Sequence, residues 1–140
     1  MQAWILYALA AAFCAALVSI FGKIGMSGLD STLATTIRAI IMALFLLGIS
    51  ISYKKFDMLT QFNTKASIFI VLAGLAGASS WLFYFKALQL GTVTGVVVLD
   101  KLSVVMAVIL AFLVLGEPLT VYTIAGLILL TAGTLLIAVR

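Results

Sequence analysis

Apolar residues run in five blocks along the chain, at 3–22, 31–52, 66–89, 93–115 and 119–139, parted by short polar or glycine-bearing stretches. Each block is about the 20 residues an α-helix needs to cross the bilayer hydrocarbon. The pattern therefore predicts five transmembrane helices forming one all-α integral membrane domain over residues 1–140. The breaks have local causes. Gly25 and Gly28 lead into Asp30-Ser31-Thr32, a ready N-cap for the second helix. Tyr53 to Lys65 is a polar loop carrying Lys54, Lys55, Asp57, Gln61 and Asn63. Gly91-Thr92 parts the third and fourth helices, and Gly116-Glu117-Pro118 the fourth and fifth. Pro118 suits the first turn of the fifth helix. None of these loops can hold a soluble domain, so function must lie among the helices.

Composition sharpens the class. Hydrophobic residues make up 66% of the 140 and charged residues 9%, against about 25% charged in soluble domains. Mean hydropathy is +1.38. Disorder is excluded by the same balance. The first block lacks the positive n-region of a signal peptide. Phe13 before Cys14 also does not fit a lipoprotein site. With no His, one Cys and four carboxylates, neither a metal site nor another cofactor is expected. The net charge of +4 is scattered along the chain and flanks apolar runs, as in membrane proteins, so nucleic acid is not an expected partner. The bilayer is.

Orientation in a membrane follows the Lys/Arg difference between its two sides. Side A, where the first helix begins, receives Lys54, Lys55 and Lys65, and side B receives Lys23, Lys86 and Arg140. The bias is close to nil, which predicts insertion in both orientations. The competing reading is one orientation fixed by Lys54 and Lys55 on the inside.

Three ionisable residues fall inside spans: Arg38, Asp100 and Lys101. Each costs about 2.5–3.5 kcal/mol at mid-membrane on insertion scales, and such residues are functional candidates by default. Arg38 and Asp100 are each the eighth residue of a helix running from side B, so both lie about 10 Å deep and are expected to pair. Asp100, Ser103, Ala107 and Ala111 share a small, partly polar face. The competing reading is a bridge that only fixes packing. Two cations against one carboxylate leave about one excess positive charge, which favours an anionic or zwitterionic small-molecule ligand over a cation. In this reading Lys101 contacts the ligand and Asp100 holds Arg38.

On the third helix, Ser80, Trp81 and Tyr84 share a face, and an aromatic wall suits an organic ligand. An interfacial aromatic belt is the alternative. Trp4 and Tyr7 read as belt residues. Gly74 and Gly77 allow close helix approach. Gly126 and Gly133, seven apart on the last helix, form a candidate contact between subunits, or else between helices of the same chain.

The stretch Ala87-Leu88-Gln89-Leu90-Gly91, then Leu113-Val114-Leu115-Gly116-Glu117-Pro118-Leu119-Thr120, then Gly126 and Gly133, resembles the EamA-type family of the drug/metabolite transporter superfamily. Val98-Leu99-Asp100-Lys101-Leu102-Ser103 is similar to the short, five-helix bacterial and archaeal branch. The resemblance implies one EamA-type repeat. Ten-helix members hold two repeats of opposite topology, so a single repeat would assemble as an antiparallel homodimer. It also implies transport across a bacterial or archaeal inner membrane, with export as the expected direction. Glu117 marks the turn between helices four and five, where capping is its expected role. Helix one lacks the carboxylate of the small multidrug resistance transporters, so their proton/cation exchange does not carry over.

The function expected is thus an alternating-access secondary transporter. The alternatives are a non-transporting membrane subunit needing a hetero-partner and a cationic drug exporter. An enzyme is not expected: no nucleophile has an evident base.

Overall fold

Helix ends in this chain are set by small polar caps. In the computed structural model, which describes residues 3–57 and 63–138, the Asp30 carboxylate accepts the Thr32 and Leu33 N–H groups at 2.8 and 3.1 Å. That fixes the start of α2 (Ser31–Ser52), after α1 (Ala3–Gly25) and a turn in which Gly28 takes φ +83°. Asn63 accepts the Ala66 N–H at 2.7 Å, so α3 (Thr64–Leu90) begins two residues earlier than the apolar block. Thr92 caps the next helix through the Gly95 N–H. Gln61, Val139 and Arg140, placed above in a loop, a span and a flank, lie outside the described residues.

The fourth apolar block is a single span by length, Val93–Leu115, but not a single regular helix. It consists of α4 (Val93–Asp100), α5 (Leu102–Leu110) and a π-helical turn at Ala111–Leu115. At Lys101 the N–H bonds to the Val98 carbonyl, three residues back, at 3.1 Å, and the Lys101 carbonyl takes the Val104 N–H. This tightened turn divides the stripe read from the sequence: Asp100 closes α4, while Ser103 and Ala107 lie on α5. At the far end the Ala111 carbonyl takes the N–H of Gly116, at φ +69°, and of Glu117 at 3.3 Å. Glu117 therefore sits in the helix-ending turn through its backbone.

The last helix, α6 (Val121–Ala138), starts later than expected. Thr120 Oγ1 accepts the Thr123 N–H at 3.1 Å and acts as the cap. Pro118 therefore precedes the helix rather than forming its first turn.

Five helical segments among the described residues are long and apolar enough to cross a membrane. The protein is an all-helical, multi-pass membrane protein. Large side chains such as Phe13, Phe45 and Tyr122 are 67, 68 and 90% exposed, a surface for lipid or for another apolar face rather than for water.

The chain divides into two units, a middle unit of residues 21–89 and a terminal unit of residues 1–20 and 90–140. In the middle unit, Met26, Ser31, Thr35, Phe85 and Leu88 are buried where the end of α1, the start of α2 and the end of α3 meet. Lys23 Nζ donates to the Leu88 carbonyl, and Gln89 donates to the Leu29 carbonyl at 3.1 Å. In the terminal unit α6 packs along α4 and α5, with Thr134 buried.

Candidate functional site

Arg38 stands on α2, one turn beyond the buried Thr35. Its guanidinium carbon lies 3.8 Å from the centroid of the Trp81 ring and 5.2 Å from that of Phe85. Both rings come from α3. Seven residues from the start of α2 put Arg38 about 10 Å deep, and nine from the end of α3 put Trp81 about 13 Å deep, so the stack forms between side chains at similar depth. A guanidinium is more weakly hydrated than an ammonium and stacks on aromatic faces. The contact recovers about 0.5–2 kcal/mol of the cost of holding the cation in the membrane.

The rings support one another. Trp81 and Tyr84 meet edge to face at 5.5 Å, as do Tyr84 and Phe85 at 6.0 Å, while Trp81 and Phe85 lie tilted at 5.8 Å. Phe85 is 2% exposed and packs against Gly22. Hence Trp81 and Tyr84, which share a face by their spacing, also touch each other, and Arg38 lies over Trp81. Phe85 was missed. Its signal was the four-residue step from Trp81, concealed because a phenylalanine in an apolar helix reads as ordinary lipid-facing or core residue.

In the terminal unit Asp100 and Lys101 approach each other at 3.8 Å, with side chains 40 and 49% exposed. The division of labour read from the sequence left Lys101 unpaired and gave Asp100 to Arg38. Within the terminal unit Lys101 stands beside Asp100, at the tightened turn. Ser103 follows on the first turn of α5 and is exposed.

A Cβ built on Gly126 or Gly133 meets no atom within 4 Å, and the same holds at Gly74 and Gly77. Each of the four glycines thus has room for a side chain, so no neighbour within 4 Å requires a glycine there. An open apolar groove also runs between the start of α4 and the end of α6, past Gly95, Ala132 and Leu136.

Comparison with known proteins places this architecture. No solved structure matches the chain. A Sinorhizobium sp. protein named "Uncharacterized transporter in cobO 3'region" is 38% identical over 138 residues, 99% of this chain and 98% of that protein. The EamA-like transporter family matches residues 2–139. Five spanning helices, the size of one repeat, and a match that runs nearly from end to end identify the chain as a member of the EamA-like transporter family.

Proposed function

We propose that the protein is a secondary transporter that exports a small anionic or zwitterionic metabolite by alternating access, working as an antiparallel homodimer in a bacterial or archaeal inner membrane. The observation that carries the ligand class is the charge balance away from the ends of the spans: Arg38 and Lys101 against Asp100 alone. Uncompensated cations in low dielectric are costly, and a carboxylate or phosphate relieves that cost where a plain cation adds to it. Arg38, Trp81, Tyr84, Asp100, Lys101 and Ser103 are the residues assigned to substrate binding or coupling.

Three observations support the dimer. The cations flanking the spans nearly balance, so neither orientation is favoured. The chain has the size of one repeat. Gly126 and Gly133 present open surface on α6, where small residues let helices of two copies approach.

The test is reconstitution of the purified chain alone in vesicles, with uptake measured for carboxylates, amino acids and lipophilic cations. Movement of an anion or zwitterion by the chain alone supports the reading. Movement only with a second protein present makes the chain a subunit, and movement of cations alone overturns the ligand class. Reporters fused to the C-terminus should be active on both sides of the membrane, and two lysines added on side B should fix that side in the cytoplasm. Arg38→Ala and Asp100→Ala should each impair transport, and their combination should be less than additive.

A further inference from the structure

The Arg38 guanidinium is charged and half-buried, and its surroundings are aromatic. Guanidinium carries five N–H donors in one plane. An aromatic face offsets its charge in part, but it is not a conventional hydrogen-bond acceptor, so the contact leaves those donors unconsumed. Among the described residues neither a hydrogen bond nor an ion pair engages this side chain; its contacts are the Trp81 and Phe85 rings. Asp100, by contrast, has Lys101 beside it. A cation held against aromatic rings, partly buried and with its donors unclaimed is suited to receive a planar oxyanion through two parallel bonds.

We propose that Arg38, lying over Trp81 with Phe85 beside it, is the oxyanion receptor of this protein, and that it takes a carboxylate or phosphate group at its N–H donors. The inference rests on the transporter reading for its ligand class, but it changes which cation makes the contact. The rings hold the guanidinium in place before the ligand arrives, which lowers the ordering cost of binding. Tyr84, edge-on to Trp81, completes the wall. Because the receptor lies about 10 Å from side B, the oxyanion has two sources, a soluble metabolite or a lipid headgroup.

The chain has two tryptophans, Trp4 and Trp81, so Trp4→Phe leaves Trp81, beneath the guanidinium, as the one tryptophan to be excited selectively. This protein, in phosphatidylcholine vesicles, is titrated with succinate, glutamate and inorganic phosphate while Trp81 emission is followed. A saturable change with at least one of them is expected. Arg38→Gln should raise its Kd by about tenfold or more. Arg38→Lys keeps the charge and removes the planar fork, so it should still fold and bind more weakly than the parent. A change produced by phosphatidylglycerol in the vesicles without soluble anion, and lost in Arg38→Gln, upholds the receptor and assigns the oxyanion to lipid. Absence of any anion response while the vesicles still transport an anion overturns the inference and leaves the transporter reading standing. So does a response that survives Arg38→Gln and vanishes in Lys101→Gln.

Discussion

The two units carry their membrane charges in opposite ways. In the middle unit a cation rests on aromatic rings carried by α3, an unbroken helix of 27 residues, over a buried group of Phe85, Leu88 and Met26. In the terminal unit a carboxylate and an ammonium stand side by side at a tightened turn, half-exposed, in a span that ends in a π-helical turn. The first arrangement meets the cation with ring faces. The second lets two charges offset each other where the backbone ladder is already interrupted, and interruptions of this kind are where transporter helices bend. The middle unit thus sets its membrane cation against packed rings, and the terminal unit sets its charge pair at an interrupted helix.

Four substitutions break or sharpen that contrast. The largest effect is expected at Gly22. A Cβ there would lie 2.8 Å from Phe85 Cε1 and 3.1 Å from Cζ. Gly22→Val should cost about 1–3 kcal/mol through overpacking, read as a lower thermal midpoint in detergent. Gly126→Ala in the other unit meets open space and should stabilise the isolated chain by about 0.5–1 kcal/mol while lowering the crosslinked dimer fraction. Equal losses at both glycines would erase the distinction between a packed and an open helix face.

Next is Lys23→Met, which removes the bond to the Leu88 carbonyl. It should cost about 1 kcal/mol and, by deleting one side-B cation, tilt the reporter ratio toward side A in the cytoplasm. A stability loss without the tilt would confine Lys23 to packing. Asp100→Asn should change stability by about 0.5 kcal/mol or less, since the pair is well exposed, yet reduce transport several-fold. Preserved transport would remove the pair from the coupling machinery.

The smallest effect concerns pH. Backbone N–H groups of Leu33 and Thr32 hold the Asp30 carboxyl below the ordinary value of 3.8. A lowered carboxylate pKa contributes stability in full above the ordinary value and loses it as pH falls through the lowered one. The thermal midpoint should therefore be flat from pH 7 to pH 5 and decline slightly below pH 4. Asp30→Ala should flatten that decline, and Asp30→Asn, which caps without titrating, should flatten it while keeping more of the helix.

Some of this was legible along the chain because it is a one-dimensional property. Runs of about 20 apolar residues announce spans whatever surrounds them, and Asp30 caps its own helix through N–H groups two and three residues away. Likewise, Trp81 and Tyr84 share a face because three residues are nearly one helical turn. Pro118 misled because Thr120, two residues on, competes for the capping role and wins by the bond to Thr123.

The helix count, the membrane setting and the shortage of acidic partners for the membrane cations all followed from residue types in order, since hydropathy and charge are sums over the chain. Depth also followed, since rise per residue is constant. The neighbour that each charge meets did not follow. Matching depth put Arg38 level with Asp100, but depth says nothing of direction around a helix. Phe85 and Trp81 took the guanidinium because α2 and α3 turn those faces toward each other, a matter of packing between segments more than forty residues apart. The turn at Lys101 is equally hidden, because Val98-Leu99-Asp100-Lys101-Leu102 contains neither Gly nor Pro, and a backbone bond drawn three residues back instead of four shows only in the folded chain.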